Sequence, residues 1–485
     1  MVLPALSNRF PIIAGIFVLL FAICWGYAIN QHAYAWMIVP FLAIGCYALL
    51  PQLIQPDKRL FWLLFITIPL STEWQITTTL GLDFPDELLM GLLSVGIVMY
   101  LLLRPASLPP ILLQSNLFTL LLLGWIWTAI TCIYSTEPVL SVKFLLAKCW
   151  FILPFVFGPL LFIQKIEDWK TWAACWLIPM LILVVQVIIR HGQYGFTFFH
   201  IRKAMAPFFR NHVNYAALIS LLLPVAILSF YLTPRFSPRR KWILFGIVIG
   251  FAGWILAYSR GAWVALPAAG IMVLLIRKKW LVPVVITGAV LVLISTAWLV
   301  TEKRYLRFAP DHDQTYFHTQ FRQHLQATFD GKDISTAERW HRWVAGVRML
   351  THEPITGFGP NSFYRQYQPY TLQKFQTWVS DNPEHSTVHN YFLLIAVEQG
   401  WIGLLLFLLL VIGMFLSLQR LCRKLQSHFY RSIALATSAI LTIVVALNLM
   451  SDLIETDKIG SVFYACLGVI LLLEQESRRE KSDIA

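Results

Sequence analysis

His389 and Asn390 stand where a long polar stretch, roughly residues 301–387, gives way to an apolar run from Phe392 to Leu416. An imidazole titrates near neutrality, so it can take a proton from a hydroxyl at physiological pH. At a boundary between water and bilayer, such a base can face a polar acceptor on one side and a lipid-linked donor on the other. Asn390, next in the chain, is placed to orient either the ring or a substrate. The competing reading is an interfacial histidine satisfied by a backbone carbonyl.

Arginines at the ends of apolar runs supply the second element. Arg260 sits in Tyr258-Ser259-Arg260-Gly261, a turn so short that its guanidinium must lie near the helix ends. Arg202, Lys203 and Arg210 precede Asn211-His212-Val213-Asn214-Tyr215 at the start of another apolar run. A charge at such a depth is costly unless it has a partner. The guanidinium fork matches phosphate oxygens, so two or three converging arginines suit a diphosphate. Snorkelling toward lipid headgroups accounts for the same residues without a ligand. Glu398, in Glu398-Gln399-Gly400-Trp401-Ile402-Gly403, puts a carboxylate inside an apolar run. Glycines able to break the helix there leave its role structural or catalytic. His385 lies four residues before His389, but no third ligand has suitable spacing, so no metal is expected. With no nucleotide-binding glycine loop, Walker motif or Asp-rich cluster, no cofactor is expected either.

The elements that position these residues are membrane helices. Of 485 residues, 58% are hydrophobic and only 13% charged, against about 25% charged in soluble domains. Long apolar runs require helical spans, since a barrel would show short alternating strands. Runs able to cross a bilayer of about 30 Å fall at 10–29, 33–50, 59–70, 86–103, 115–133, 142–163, 169–190, 213–233, 241–257, 261–276, 280–300, 388–416, 432–450 and 459–473. The third, ninth and tenth are short, so the fold class is an all-α polytopic transmembrane bundle of about 12–14 spans. Residues 1–300 form the main bundle, 301–387 a large segment outside it, and 388–485 the C-terminal spans. The first run, Phe10 to Ile29, reads as a retained span without a signal-peptide cleavage site. Pro69, Pro154, Pro179, Pro224 and Pro267 lie within runs and predict kinks.

The formal charge of +13 does not indicate nucleic acid, because the basic residues lie in short loops. Clusters at Arg235–Lys241, Arg277–Lys279, Arg420–Arg431 and Arg478–Lys481 fall on one side, which the positive-inside rule makes cytoplasmic together with both termini. The 301–387 segment is then on the opposite side. Within it, Ser335 and Glu338 form a capping-box pattern, and Trp340, Trp343, Val344, Val347 and Leu350 recur at helical spacing with Arg339, Arg342 and Arg348 on other faces. This predicts an amphipathic helix near the membrane–water boundary, stopped by His352-Glu353-Pro354. The seven cysteines have no metal-ligand spacing and none lies in the polar segment, so no disulfide framework is expected.

These blocks, in this order, resemble the O-antigen ligase/polymerase superfamily, bacterial membrane glycosyltransferases of the GT-C type. The resemblance rests on Asn211-His212-Val213-Asn214-Tyr215-Ala216, Ser259-Arg260-Gly261, Arg339 to Trp343 leading into His352-Glu353-Pro354-Ile355-Thr356-Gly357-Phe358-Gly359, and His389-Asn390-Tyr391 with Glu398 to Gly403. It implies a GT-C-like fold in the bacterial inner membrane and metal-independent transfer of a glycan from an undecaprenyl-diphosphate donor at the periplasmic face. His389 would be the general base, and Arg260 would hold the diphosphate with the arginine preceding the Asn-Tyr block. The family's glycine between that arginine and the asparagine is replaced here by Ala206-Pro207, which leaves Arg202 or Arg210 for that role, with Arg202 favoured. Arg339 and Arg342 look like substrate-contacting positions. The acceptor is lipid A-core for a ligase, another lipid-linked repeat for a polymerase, or a protein hydroxyl for an oligosaccharyltransferase; a ligase is favoured. A flippase would instead show inverted repeats and polar residues at mid-bilayer.

Overall fold

The structure, a computed structural model, describes residues 57–75, 81–308, 334–377, 380 and 387–482. The apolar runs at 10–29 and 33–50, with Cys24, Cys46, His312, His318, His324 and His385, lie outside the described residues. The chain forms two compact units: residues 58–94 with 108–485, and residues 1–57 with 95–107. The candidate site lies wholly in the first.

That unit is built from α1 (Lys58–Thr67), a two-stranded hairpin of β1 (Thr72–Gln75) and β2 (Gly81–Phe84), and the start of α2 (Asp86–Leu103). There follow α3 (Asn116–Ile133), α4 (Pro138–Ile152), α5 (Ile166–Gly192), the short α6 (Ile201–Met205), α7 (His212–Leu232), α8 (Pro238–Leu256), α9 (Arg260–Lys278) and α10 (Leu281–Val300). The chain resumes with α11 (Ile334–His352), α12 (Tyr391–Lys424), α13 (His428–Asn448) and α14 (Asp457–Ser482). Among the described residues, 10 helices are long and apolar enough to cross a membrane, as an all-α polytopic bundle requires. α8 is a full helix despite its basic start. Gly246, Gly250 and Gly253 bring it against Leu181 of α5, Leu223 of α7 and Val184 of α5. Pro179, Pro224 and Pro267 lie inside α5, α7 and α9 without ending them, whereas Pro69 belongs to a 3-10 turn that follows the end of α1. The hairpin was not expected.

Hydrogen bonds gather the loops at two ends. At one end Thr136 N donates to Phe358 O at 3.0 Å, Arg365 pairs with Glu137 at 2.9 Å, and Lys458 Nζ donates to Ser71 O at 2.9 Å and Phe208 O at 2.7 Å. Tyr258 Oη joins Phe196 O there at 2.6 Å. At the other end Gln426 N meets Glu480 Oε2 at 2.7 Å and Ser115 Oγ meets Glu474 Oε2 at 3.0 Å. His389 lies at the first end, called the site end below.

α11 corrects the sequence expectation in two ways. Ser335 and Glu338 make no capping box: Ser335 Oγ accepts from Arg339 Nη1 at 2.8 Å, and Glu338 accepts from the hydroxyls of Thr377 and Ser380. The helix also buries a wider face than the apolar stripe: Val344 and Leu350 are inside as expected, but so are Ala337, Glu338, His341, Arg342, Ala345 and Met349, while Val347 is exposed. The reason is packing, because α11 crosses the first turns of α12. A Cβ at Gly346 would lie 3.2 Å from Leu393 and 3.3 Å from Val388, so the small-residue face must turn inward.

α12 is broken at Gly400, whose φ of 69° and ψ of −175° are not helical. The turn after α11 mends the break. Phe358 N donates to Val397 O at 3.0 Å, Gly359 N to Glu398 O at 2.9 Å, and Trp401 N to Pro354 O at 2.9 Å. Glu398 is buried and its Oε1 accepts from Phe363 N at 3.2 Å, a structural use of that carboxylate. A Cβ on Gly400 would fall 1.9 Å from Ile355 O. Gly400→Ala is therefore expected to lose on the order of 3 kcal/mol of stability, read as a lower thermal midpoint in detergent. A variant melting with the wild type would show that the break is dispensable.

Candidate active site

The site is assembled from the N-termini of helices. Asn390 is the N-cap of α12, with Oδ1 accepting from Leu393 N at 3.0 Å. Asn211 does the same for α7, accepting from Asn214 N at 2.9 Å. Short polar side chains at these positions satisfy amide groups that the helix cannot. The tyrosines that follow, Tyr391 and Tyr215, are buried. Both Asn-Tyr blocks are thus helix starts, and Asn390 has its amide oxygen committed to the cap.

Immediately before the cap, His389 adopts a left-handed φ of 54°. This turns its ring toward the loop between α13 and α14, where Nδ1 lies 3.8 Å from Asp452 Oδ1. Thr387 Oγ1 donates to Asp452 Oδ2 at 2.5 Å, and Tyr391 N donates to Ser451 O at 3.0 Å. The loop and the start of α12 are therefore locked together around the pair. Burial by itself would raise the Asp452 carboxyl, but the His389 ring and the Thr387 hydroxyl hold it below the usual carboxylate range. A depressed carboxylate contributes stability above its ordinary pKa and loses it as pH falls through the lowered value. The Asp452 carboxylate is accordingly charged at neutral pH.

The imidazole remains partly exposed, at 32% for the side chain. With Nδ1 toward a carboxylate, the favoured tautomer carries its proton there, which leaves Nε2 to accept one. Sequence reading missed Asp452. It lies in a loop 63 residues beyond His389, and no short-range spacing signals the pairing. The available sign was the cluster of charges, Asp452, Glu455, Asp457 and Lys458, in the short loop between two apolar runs.

Arg260 is the first residue of α9. Gly261 beside it sits against Leu447, where a Cβ would lie 3.6 Å from Cδ2. Leu447 O in turn accepts from Ser451 Oγ at 2.6 Å, so the start of α9 adjoins the loop that carries Asp452. Tyr258, at φ 54°, forms the turn and donates to Phe196 O. Burial pushes its phenol up, so it stays a neutral donor. The amide groups opening α7, α9 and α12 all face the site end, and such termini favour anions.

The remaining arginines are placed differently from one another. Arg210 Nη2 lies 2.6 Å from Glu73 Oε1 and 3.9 Å from Asp83 Oδ1. Glu73 and Asp83 are directly opposed across the hairpin, a destabilising pairing of like charges that Arg210 relieves. Arg202 is exposed on α6 with no side-chain partner among the described residues, and Arg190 secures that segment by donating to Lys203 O at 3.1 Å and to Ala206 O. On α11, Arg342 is buried with Nη2 3.6 Å from Glu338 Oε2. Arg339 folds back on Ser335. Burial lowers the neighbouring His341 imidazole against the pull of Glu338.

Among the described residues, no group of three His, Cys, Asp or Glu side chains is arranged to hold a metal.

Removing the His389–carboxylate contact by Asp452→Asn should lower turnover by about 10-fold to 10⁴-fold, the upper end being the loss when a triad aspartate that orients a histidine becomes asparagine. Steady-state assay of the purified variant checks it. Unchanged turnover would make Asp452 a loop fastener only.

The fold and this end together define a multi-pass helical membrane protein that places an imidazole beside a carboxylate at the end where α9 begins with an arginine. Residues 245–408 match the family model described as O-antigen ligase, a match that supports the resemblance to the O-antigen ligase/polymerase superfamily. That family is one of ligase- and polymerase-type glycosyltransferases working on lipid-linked glycans in a membrane. The match takes in Arg260, Arg339, Arg342, His389 and Asn390, while Arg202, Arg210 and Asp452 lie outside it. No curated protein matches the chain.

Proposed function

We propose that the protein transfers a glycan from an undecaprenyl-diphosphate donor to an acceptor hydroxyl, with lipid A-core as the favoured acceptor. The site end then faces the periplasm from the bacterial inner membrane. His389 Nε2 takes the proton of the acceptor hydroxyl, whose oxygen forms the new bond to the anomeric carbon. The bond from that carbon to the diphosphate breaks, and undecaprenyl diphosphate leaves with its negative charge held by Arg260 and the start of α9. Arg202, with no partner of its own, is the better second phosphate ligand than Arg210, which is taken up by the hairpin. The carrying observation is the His389–Asp452 pair lying on the loop that adjoins Arg260.

The test is reconstitution in liposomes with a defined undecaprenyl-diphosphate glycan and lipid A-core, following glycan-bearing lipid and released undecaprenyl diphosphate. Transfer that persists in excess EDTA is expected. Donor left intact with every acceptor overturns the reading, and activity that needs a divalent ion overturns its metal-independent form.

A further inference from the structure

Beneath the His389–Asp452 pair lies an ion pair with no assigned role, its lysine buried and its glutamate half-buried. Lys148, well inside α4, is buried, and its Nζ donates to both oxygens of Glu455 at 3.0 and 2.8 Å. Its ammonium also lies 4.4 Å from the centre of the Phe144 ring. Glu455 closes the 3-10 turn Leu453–Glu455, and its N–H donates to the carbonyl of Asp452 at 3.0 Å. The turn dips into the bundle, with Leu453 and Ile454 buried. Gly460 permits this depth, since a Cβ there would fall 2.4 Å from Ile454 O and 3.0 Å from the Phe151 ring.

Stability does not call for charges here, because a well-packed apolar pair in such a place is commonly as stable as an ion pair. What the pair adds is geometry. Backbone bonds from Tyr391 N to Ser451 O and from Ile454 N to Asn448 Oδ1 fix the two ends of the Asp452 segment. The salt bridge fixes how deeply the turn sits, and hence the height of the Asp452 carboxylate against the His389 ring. We propose that Lys148 and Glu455 are positioning residues, which hold Asp452 in register with His389 from a separate membrane helix. This deepens the glycosyl-transfer reading and rests on it for its kinetic consequence.

The decisive variant is the double replacement Lys148→Met with Glu455→Met. A single replacement leaves one buried charge without its partner and can fail to fold, whereas the apolar pair keeps the volume and the fold. The double variant should melt close to the wild type and bind donor with unchanged KM. Its kcat should fall by at least about 10-fold, since a misplacement of about 1 Å costs up to about 10²-fold. Lys148→Arg, which keeps the charge pair, should restore most of that loss. A second readout needs no turnover: the rate at which diethyl pyrocarbonate modifies His389, followed by mass spectrometry, should change in the double variant and not in Lys148→Arg. A folded double variant with wild-type kcat and an unchanged modification rate overturns the proposal. If the wild type itself transfers nothing, the glycosyl-transfer reading falls, and the modification rate still decides whether Lys148 and Glu455 place the ring.

Discussion

His389→Ala should lose about 10²–10⁴ of the transfer rate, the usual contribution of a positioned general base, while still binding the diphosphate-linked donor. The two halves of this expectation come from different elements. The base stands before the N-cap of α12, and the anion-binding groups belong to the start of α9 and to α6. Removing the ring leaves Asn390 capping the helix and Tyr391 N bonded to Ser451 O, so α12 should begin where it does now. Alanine keeps its Cβ, so the left-handed φ at position 389 persists, and any change in its cost is too local to account for such a loss. Turnover and donor affinity measured on the same purified variant decide the matter. Retention of more than about a tenth of wild-type turnover lies outside the range for a general base. It would make the histidine structural.

Arg260→Lys should be impaired nearly as badly as Arg260→Ala, each by about 10²–10³ in rate, the cost of removing a donor aimed at developing negative charge. A guanidinium meets two phosphate oxygens with two parallel bonds, and an ammonium on a flexible stem cannot reproduce that fork. Both variants should insert and fold, because position 260 opens a helix whose packing on α13 rests on Ala262, Ala265 and Ala269. The alternative, an arginine reaching for lipid headgroups, would tolerate lysine fully. Wild-type turnover in Arg260→Lys would favour that alternative.

Much of this architecture was legible because membrane helices announce themselves by length and composition. The short tenth run is the exception: it reads as doubtful by length, yet forms α9 from Arg260 to Lys278. The apolar stripe on α11 told half of the packing, with Val344 and Leu350 buried but Val347 exposed, because a helix lying across another helix is governed by how close it must come. Gly346 and Ala345 decide that, and the tryptophans do not. The motif residues divided in a way no spacing could reveal. Asn211 and Asn390 are caps, and Gly357, Gly359 and Gly400 serve a backbone junction. Asp452 and the Lys148–Glu455 pair were invisible because each joins residues far apart in the chain. A charge at the edge of an apolar run says only that a partner exists somewhere.

The junction at Gly400 also bears on how the protein is made. A hydrocarbon interior offers nothing to bond an interrupted helix, so the open amide and carbonyl groups around position 400 would each cost several kcal/mol there. α12 is therefore unsuited to enter a bilayer by itself. The segment that completes it, Pro354 to Gly359, is synthesised first. Chain order thus supplies the missing bonds before the helix emerges, and a circular permutant opened between residues 361 and 390 should be one that biogenesis machinery handles poorly, even though its finished contacts would be the same.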